Sequence, residues 1–316
     1  VVAIGGNALS PSGEIASISN QFRHTRESLE SIVGLALEGW NVAVVHGNGP
    51  QVGDELQRNE AARSRVDQLP LGVLVASTAG WIGYMIQQSL QNALRKAGSD
   101  RRVVTLITQA MVDPEDPSMH EPTKFIGRGI RPGVAEELQS EGIRIEADSR
   151  GQLRRRVPSP VPTAIVESAM VAELVRRGDI VIAAGGGGIP VYDDPQLGLE
   201  GIDAVVDKDR AAALLANEIE ASVLLILTDV EGVYEKWGTD SARLVPRMTA
   251  SEARAMLVSG EFGAGSMGPK VEAAIHFVEG GGERAIIADL HEGPAGLAGQ
   301  AGTTITPGVR VSGGFE

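Results

Sequence analysis

The chain has 316 residues, 42% of them hydrophobic and 22% charged, enough for one large or two modest domains with a core of their own. It has no cysteine, which excludes disulfides, thiolate metal sites and cysteine nucleophiles and suits a reducing compartment, so a cytoplasmic protein is expected. The net charge of −13 and 3% aromatic content weigh against nucleic-acid and membrane-surface partners, and no apolar run approaches the roughly 18 residues that cross a bilayer.

In chain order, "VVAI" reads as a short buried strand that breaks at "GGNAL", and apolar residues from Phe22 to Ala36 share one face of a helix expected over Ser19 to Leu37. The pattern repeats: "NVAVVH" is a strand, "GNGP" a turn, and a helix starts near Gln51 with Pro50 at its first turn. A long helix, about Leu71 to Lys96, leads to a third strand in "RVVTLIT". Periodicity fades between about Met111 and Pro162, where a protruding lid subdomain (112–161) built from short hairpins is expected. Alternation resumes with a helix near Ser168, the strand "DIVIAA" running into "GGGGIP", a helix after Asp207 and the strand "SVLLILT". Helices near Ala250 to Val258 and Gly268 to Glu279, the strand "RAIIA" and a terminal "GTTITPG" strand complete the chain. Strands alternating with helices predict an α/β domain on a mainly parallel sheet.

Glycine clusters follow four of these strands: Gly5-Gly6-Asn7, Gly47-Asn48-Gly49, Gly185 to Gly188, and the turn from Asp229 to Gly232. Each alone is adequately explained as a tight turn. Four at the carboxyl edge of one open sheet, where such folds bind ligands, point to a polyphosphate. There is no G-x-G-x-x-G after the first strand, so a dinucleotide site is disfavoured.

Of the 28 basic residues only five are lysine: Lys96, Lys124, Lys208, Lys236 and Lys270. Three stand in unusual contexts, "PTK", "DKD" and "GPK", and a compact ammonium fits between phosphate oxygens where a planar guanidinium does not. In "DKD", Asp209 can orient Lys208 toward a transferring phosphoryl group while Asp207 caps the following helix. Lys124 is either a solvated loop lysine or one that the lid lowers onto substrate. The stretch "GAGSMGPKV" nearly spells a Walker phosphate loop, but Pro269 precedes its lysine and Val271 replaces the hydroxyl, so it reads as a helix start that presents Lys270. Arg150, Arg154, Arg155 and Arg156 form the one basic concentration, either a solvated face or an attractor for an acidic substrate. The five histidines lack metal-ligand spacing, His46 reads as a packed core residue, and neither Ser159 nor Ser266 lies in a nucleophile elbow; no protein-built metal site is expected.

The stretches "VVAIGGNAL", "HGNGPQVG", "IGYMIQQ", "PTKFIG", "RRVPSP", "AAGGGGIPV", "DAVVDKD", "ILTDVEGVY", "AGSMGPKV" and "GGERAII", nearly end to end and in order, resemble the carbamate kinases of the amino acid kinase superfamily. The resemblance implies a three-layer αβα sandwich on a mostly parallel eight-stranded sheet, with a small protruding subdomain. It also implies a homodimer and reversible phosphoryl transfer between ATP and carbamate with Mg²⁺. Residues 1–206 would form a substrate-side lobe and 207–316 a nucleotide-side lobe. Gly5, Gly6, Asn7, Gly47, Asn48 and Gly49 would surround the small substrate and the transferring group, and Lys124, Lys208, Asp209 and Lys270 would be catalytic. Gly186, Gly187, Thr228, Asp229, Val230, Tyr234, Met267 and Gly268 would border the nucleotide. Two stretches depart from the family pattern. Ala79 and Trp81 stand where the family commonly reads "TQGMIGY", and Phe125 and Arg128 where "PIGPFY" commonly follows the lysine. These departures keep a related small carboxylate or carbamoyl-like acid open as the acceptor. An inactive nucleotide-binding homologue is a third reading, which the retained trio of lysines disfavours.

Overall fold

A computed structural model describes residues 1–10, 14, 17–148, 150–262 and 267–308. Strand β1 (Val2–Ile4) runs through Gly5 into the single-turn helix α1 (Gly6–Leu9), followed by α2 (Ile18–Ser28) and α3 (Glu30–Leu37). The helix expected from Ser19 to Leu37 is thus divided at Leu29, and there Ser28 Oγ donates to Ala8 O at 3.0 Å, fastening α2 to α1. Next come β2 (Ala43–His46), α4 (Gly49–Ala61), the 26-residue α5 (Leu71–Lys96), β3 (Val103–Thr105) and β4 (Gln109–Val112). The lid contributes β5 (Lys124–Ile126), α6 (Pro132–Ser140), β6 (Ile145–Ala147) and β7 (Leu153–Val157). The chain returns through β8 (Pro162–Ile165), α7 (Ser168–Arg176), β9 (Ile180–Ile182), the hairpin β10 (Ile189–Asp194) and β11 (Gly198–Gly201), α8 (Lys208–Glu218) and β12 (Val223–Thr228). It continues through β13 (Tyr234–Glu235), β14 (Arg243–Leu244), β15 (Arg247–Thr249), α9 (Ala250–Val258), α10 (Met267–Glu279), β16 (Arg284–Asp289), α11 (Gly293–Leu297) and β17 (Thr303–Thr306).

Eight strands form one sheet in the order β15-β17-β16-β12-β1-β2-β9-β3, parallel except where β17 runs antiparallel to β16. Its strands are short continuous apolar runs because both faces are covered. The period-two alternation of the strand divides β1 cleanly: Ala3 packs with α8 and α10 on one face, whereas Val2 and Ile4 pack with α3 and α5 on the other. The face over α8 carries small residues, Ala211, Ala212, Ala213 and Ala216, which bring that helix close to the sheet. The four strands expected to end in glycine turns are neighbours, β12-β1-β2-β9, so their turns emerge side by side at one edge.

The lid is a three-stranded antiparallel sheet, β5-β7-β6, carrying α6. Its inner residues Ile126 and Val157 join Val52, Leu74, Val75 and Val205 in a small apolar cluster beneath it. Backbone seats it as well: Gly127 N donates to Gly49 O at 2.9 Å, and Gly127 has φ +71°, a conformation that side chains resist. Opposite it is Gly53 in α4, where an added Cβ would collide with the Gly127 backbone. Interior helical glycine costs about 1 kcal/mol against alanine, so Gly53 is retained for this close approach.

Gly53→Ala therefore tests the seat. Ordinary helix propensity would raise the melting temperature; the contact with Gly127 predicts instead a fall, with faster limited proteolysis inside residues 112–161.

Candidate active site

The site is built where three helices begin. The turn after β1 and the turn after β2 touch: Gly47 N donates to Ile4 O at 3.0 Å, and a Cβ on Gly47 would lie 2.8 Å from Gly6 N and 3.0 Å from Lys208 Cδ. Only glycine fits between the first turn and the lysine stem that crosses it. The starts of α4 and α8 are thereby held together, and Lys208 reaches across the glycine turns.

Asp207 and Asp209 divide two tasks. Asp207 Oδ1 accepts from Asp209 N (2.9 Å) and Arg210 N (3.3 Å), capping α8, while its Oδ2 accepts from Lys124 Nζ of the lid at 2.6 Å. Asp209, 4% exposed, accepts a hydrogen bond from Lys208 Nζ. Burial would raise the Asp207 pKa, but the charges of Lys124 and Lys208 and its hydrogen bonds outweigh it and hold the carboxyl far below the usual carboxylate range. Lys270 enters from the first turn of α10 and is 7% exposed. Burial and then the Lys208 charge lower its pKa, opposed by Asp209, Asp207 and Asp229. Three ammonium groups and three aspartates thus share one field at the starts of α8 and α10. Formally these six charges balance, and the N-termini of α8 and α10 add partial positive charge to the same region.

The remaining expected site residues fall into distinct environments. Gly5 precedes α1, and Gly6 and Asn7 lie in its single turn. Asn48 is 2% exposed and turns inward: its Nδ2 donates to Thr78 Oγ1 at 2.9 Å, which fastens the second turn to α5. Gly49 opens α4 and receives the lid through its carbonyl. Gly186 and Gly187 are buried at positive φ, with no room for a Cβ against the Asn48 side chain and Val206 O respectively. Close packing of the β2 turn beside the start of α8 thus accounts for these two glycines. Thr228 ends β12 and donates through Oγ1 to Asp229 Oδ1 at 3.2 Å, with Val230 following on the turn. Tyr234 is partly buried on β13, its hydroxyl on Glu231 and its ring edge-on to Trp237 at 5.0 Å. Met267 and Gly268 begin α10, but "GAGS", residues 263–266, lies outside the described residues.

His46 is fully buried, and burial lowers its pKa to about 4, so it stays neutral as a packed core residue. Of the four concentrated arginines Arg150 is exposed, whereas the other three are ion-paired. Arg155 pairs with Glu60 at 2.6 Å, Arg154 with Asp148 at 3.6 Å and Arg156 with Glu146 at 3.3 Å, and Arg154 and Arg156 also face the Phe125 ring. Motif reading missed the second oxygen of Asp207, the anchoring role of Thr78 and the Gly53–Gly127 contact. The last had a signal, an interior helical glycine with no local reason to be there.

The sequence profile of the amino acid kinase family matches residues 1–289. A carbamate kinase of Pyrococcus furiosus is 43% identical over 311 residues, covering 97% of this chain and 98% of its own. Among solved structures, carbamate kinase from Giardia lamblia bound to citric acid superposes with a TM-score of 0.91 at 36% identity, covering 96% of this chain and 97% of that one. The same enzyme bound to AMP-PNP gives 0.88 at 35% identity with the same coverage. The eight-stranded sheet, its carboxyl-edge turns and these full-length likenesses agree: the chain belongs to the amino acid kinase family, among its carbamate kinases.

Proposed function

We propose that this protein transfers a phosphoryl group between carbamoyl phosphate and ADP, giving ATP and carbamate, with the reverse reaction at the same site. The observation that carries this reading is the gathering of Lys124, Lys208 and Lys270 with Asp207 and Asp209 beside two mutually packed glycine turns. In the forward step a β-phosphate oxygen of ADP bonds to the phosphorus of carbamoyl phosphate. The bond from phosphorus to the carbamate oxygen breaks, and carbamate leaves with the electron pair. Direct transfer needs no enzyme nucleophile, only alignment and neutralised charge. In this reading Lys208, which pairs with Asp209 and packs over Gly47, serves the transferring group, Lys270 serves the nucleotide phosphates, and Lys124 reaches in from the lid.

Mg²⁺ enters as part of the nucleotide substrate and neutralises phosphate charge there. This fits the donors present: Asp207 and Asp209 already serve Lys124 and Lys208, and among the described residues no group of three or more acidic or histidine side chains could hold a metal. Residues 1–206 act as the substrate-side lobe and 207–316 as the nucleotide-side lobe, with Thr228, Asp229, Val230 and Tyr234 bordering the nucleoside. A cytoplasmic homodimer completes the proposal; exposed Val73, Tyr84 and Ile107 leave apolar surface on and beside α5 for a second copy.

ATP formation from carbamoyl phosphate and ADP, followed with coupled hexokinase, tests the reading. Wild-type protein should turn over, and Lys208→Ala should lose about 10²–10³-fold in kcat. No turnover with carbamoyl phosphate, but turnover with another acyl phosphate, would reassign the acceptor.

The lowered pKa of Lys270 predicts that kcat/KM for MgADP declines on the alkaline side below the ordinary lysine value of 10.5. Bound phosphates restore the ammonium, so the corresponding limb in kcat should lie at higher pH. For Asp207 the sign is opposite. Its depressed folded pKa means the lid ion pair contributes fully above the unfolded carboxylate value and is lost only as pH falls through the folded one. Protease sensitivity of residues 112–161 should therefore stay constant between about pH 5 and 8. Asp207→Asn, which keeps an oxygen to cap α8 but removes the charge, should raise that sensitivity across the whole range.

A further inference from the structure

The lid crosses the site with five consecutive residues, 124–128, and each end of that segment touches a different part of the body. Lys124 meets Asp207 at the start of α8, and Gly127 meets Gly49 at the start of α4. Arg128 goes further: its Nη2 donates to Ser10 Oγ at 2.7 Å, with Asp54 Oδ2 at 3.5 Å from its Nε. Ser10 is 4% exposed and is the residue that ends α1. Its own N–H donates to Gly6 O at 3.1 Å, and Gly6 is packed against Gly47 under the stem of Lys208. A continuous line of contacts therefore joins the lid guanidinium to the glycine turn assigned to the small substrate. α1 is also held by Ser28 through Ala8 O, so Arg128 and Ser28 fasten the C-terminal part of this one turn to two separate elements.

A four-residue helix has little intrinsic stability, because nucleation fixes several residues for few hydrogen bonds. Its geometry must be supplied from outside, and a guanidinium bridging two acceptors on separate elements does so with directional bonds that an ammonium cannot reproduce in full.

We propose that Arg128 is a positioning residue for the acyl-phosphate substrate: seating of the lid is coupled through Ser10 to the conformation of the Gly5–Gly6 turn, so that the acid subsite is shaped only when the lid is down. This rests on the phosphoryl-transfer reading above. The residue is expected to act on the small substrate and not on the nucleotide, because its contacts all lie on α1 and α4.

Two measurements test it. In steady-state assays, Arg128→Ala should raise the KM for carbamoyl phosphate about tenfold or more while KM for MgADP stays within about twofold. Ser10→Ala should move in the same direction, the double variant should be no worse than Arg128→Ala, and Arg128→Lys should recover part of the loss. Equal effects on both substrates, or additive losses in the double variant, would overturn the proposal. Independently of turnover, amide hydrogen exchange should quicken in residues 6–10 of Arg128→Ala and remain unchanged in Val223–Thr228 of β12. Unchanged exchange in 6–10 sinks the coupling even if no acyl phosphate proves to be a substrate. Altered exchange in a protein that makes no ATP leaves the coupling standing and overturns the reaction assignment instead.

Discussion

One carboxylate, Asp207, links the lid to the body of this molecule. One oxygen caps α8 and so sets the direction in which Lys208 leaves that helix; the other holds Lys124 of the lid at 2.6 Å. The group is drawn in from solvent, which would favour its neutral form, yet the two lysine charges keep it ionised. Removing either partner would leave a desolvated charge unpaired, which costs far more than the pair contributes. The lid position, the start of α8 and the orientation of Lys208 are therefore interdependent.

The glycine turns give this electrostatic arrangement its shape. Gly47, Gly186 and Gly187 are needed because backbone or side chain from another element occupies the place of a Cβ. Gly47 admits the Lys208 stem; Gly186 and Gly187 admit Asn48 and Val206. What looks in sequence like a set of anion loops divides into turns that can face substrate and turns whose purpose is to let those parts approach. The same logic places Gly53 beneath Gly127 under the lid.

Much of the fold is legible in the sequence because local periodicity and burial agree. The helices at Leu71–Lys96 and Ala250–Val258 begin and end where their patterns do, and the apolar runs become strands of a sheet covered on both faces. The misjudged break at Leu29 has a tertiary origin, since apolar periodicity runs through Leu29, Ile32 and Val33 while Ser28 turns to hold α1. The arginine run at 154–156 shows the same limit. Its charge is plain in sequence, but alternation on β7 sends Arg155 to Glu60 and its neighbours to Phe125 and the lid acids.

The sequence alone determined the alternation of strands and helices, the glycine turns at strand ends and the three lysines set apart from a background of arginine. Those features are local, written in spacing and residue type. The tertiary structure decided which glycine turns are closed by packing, that Asp207 serves the lid as well as α8, and that Arg128 reaches Ser10 across 118 positions of chain. Contacts of that kind depend on how a separate subdomain settles on the sheet edge, and the residues on one side of the contact carry no local pattern that names their partners on the other.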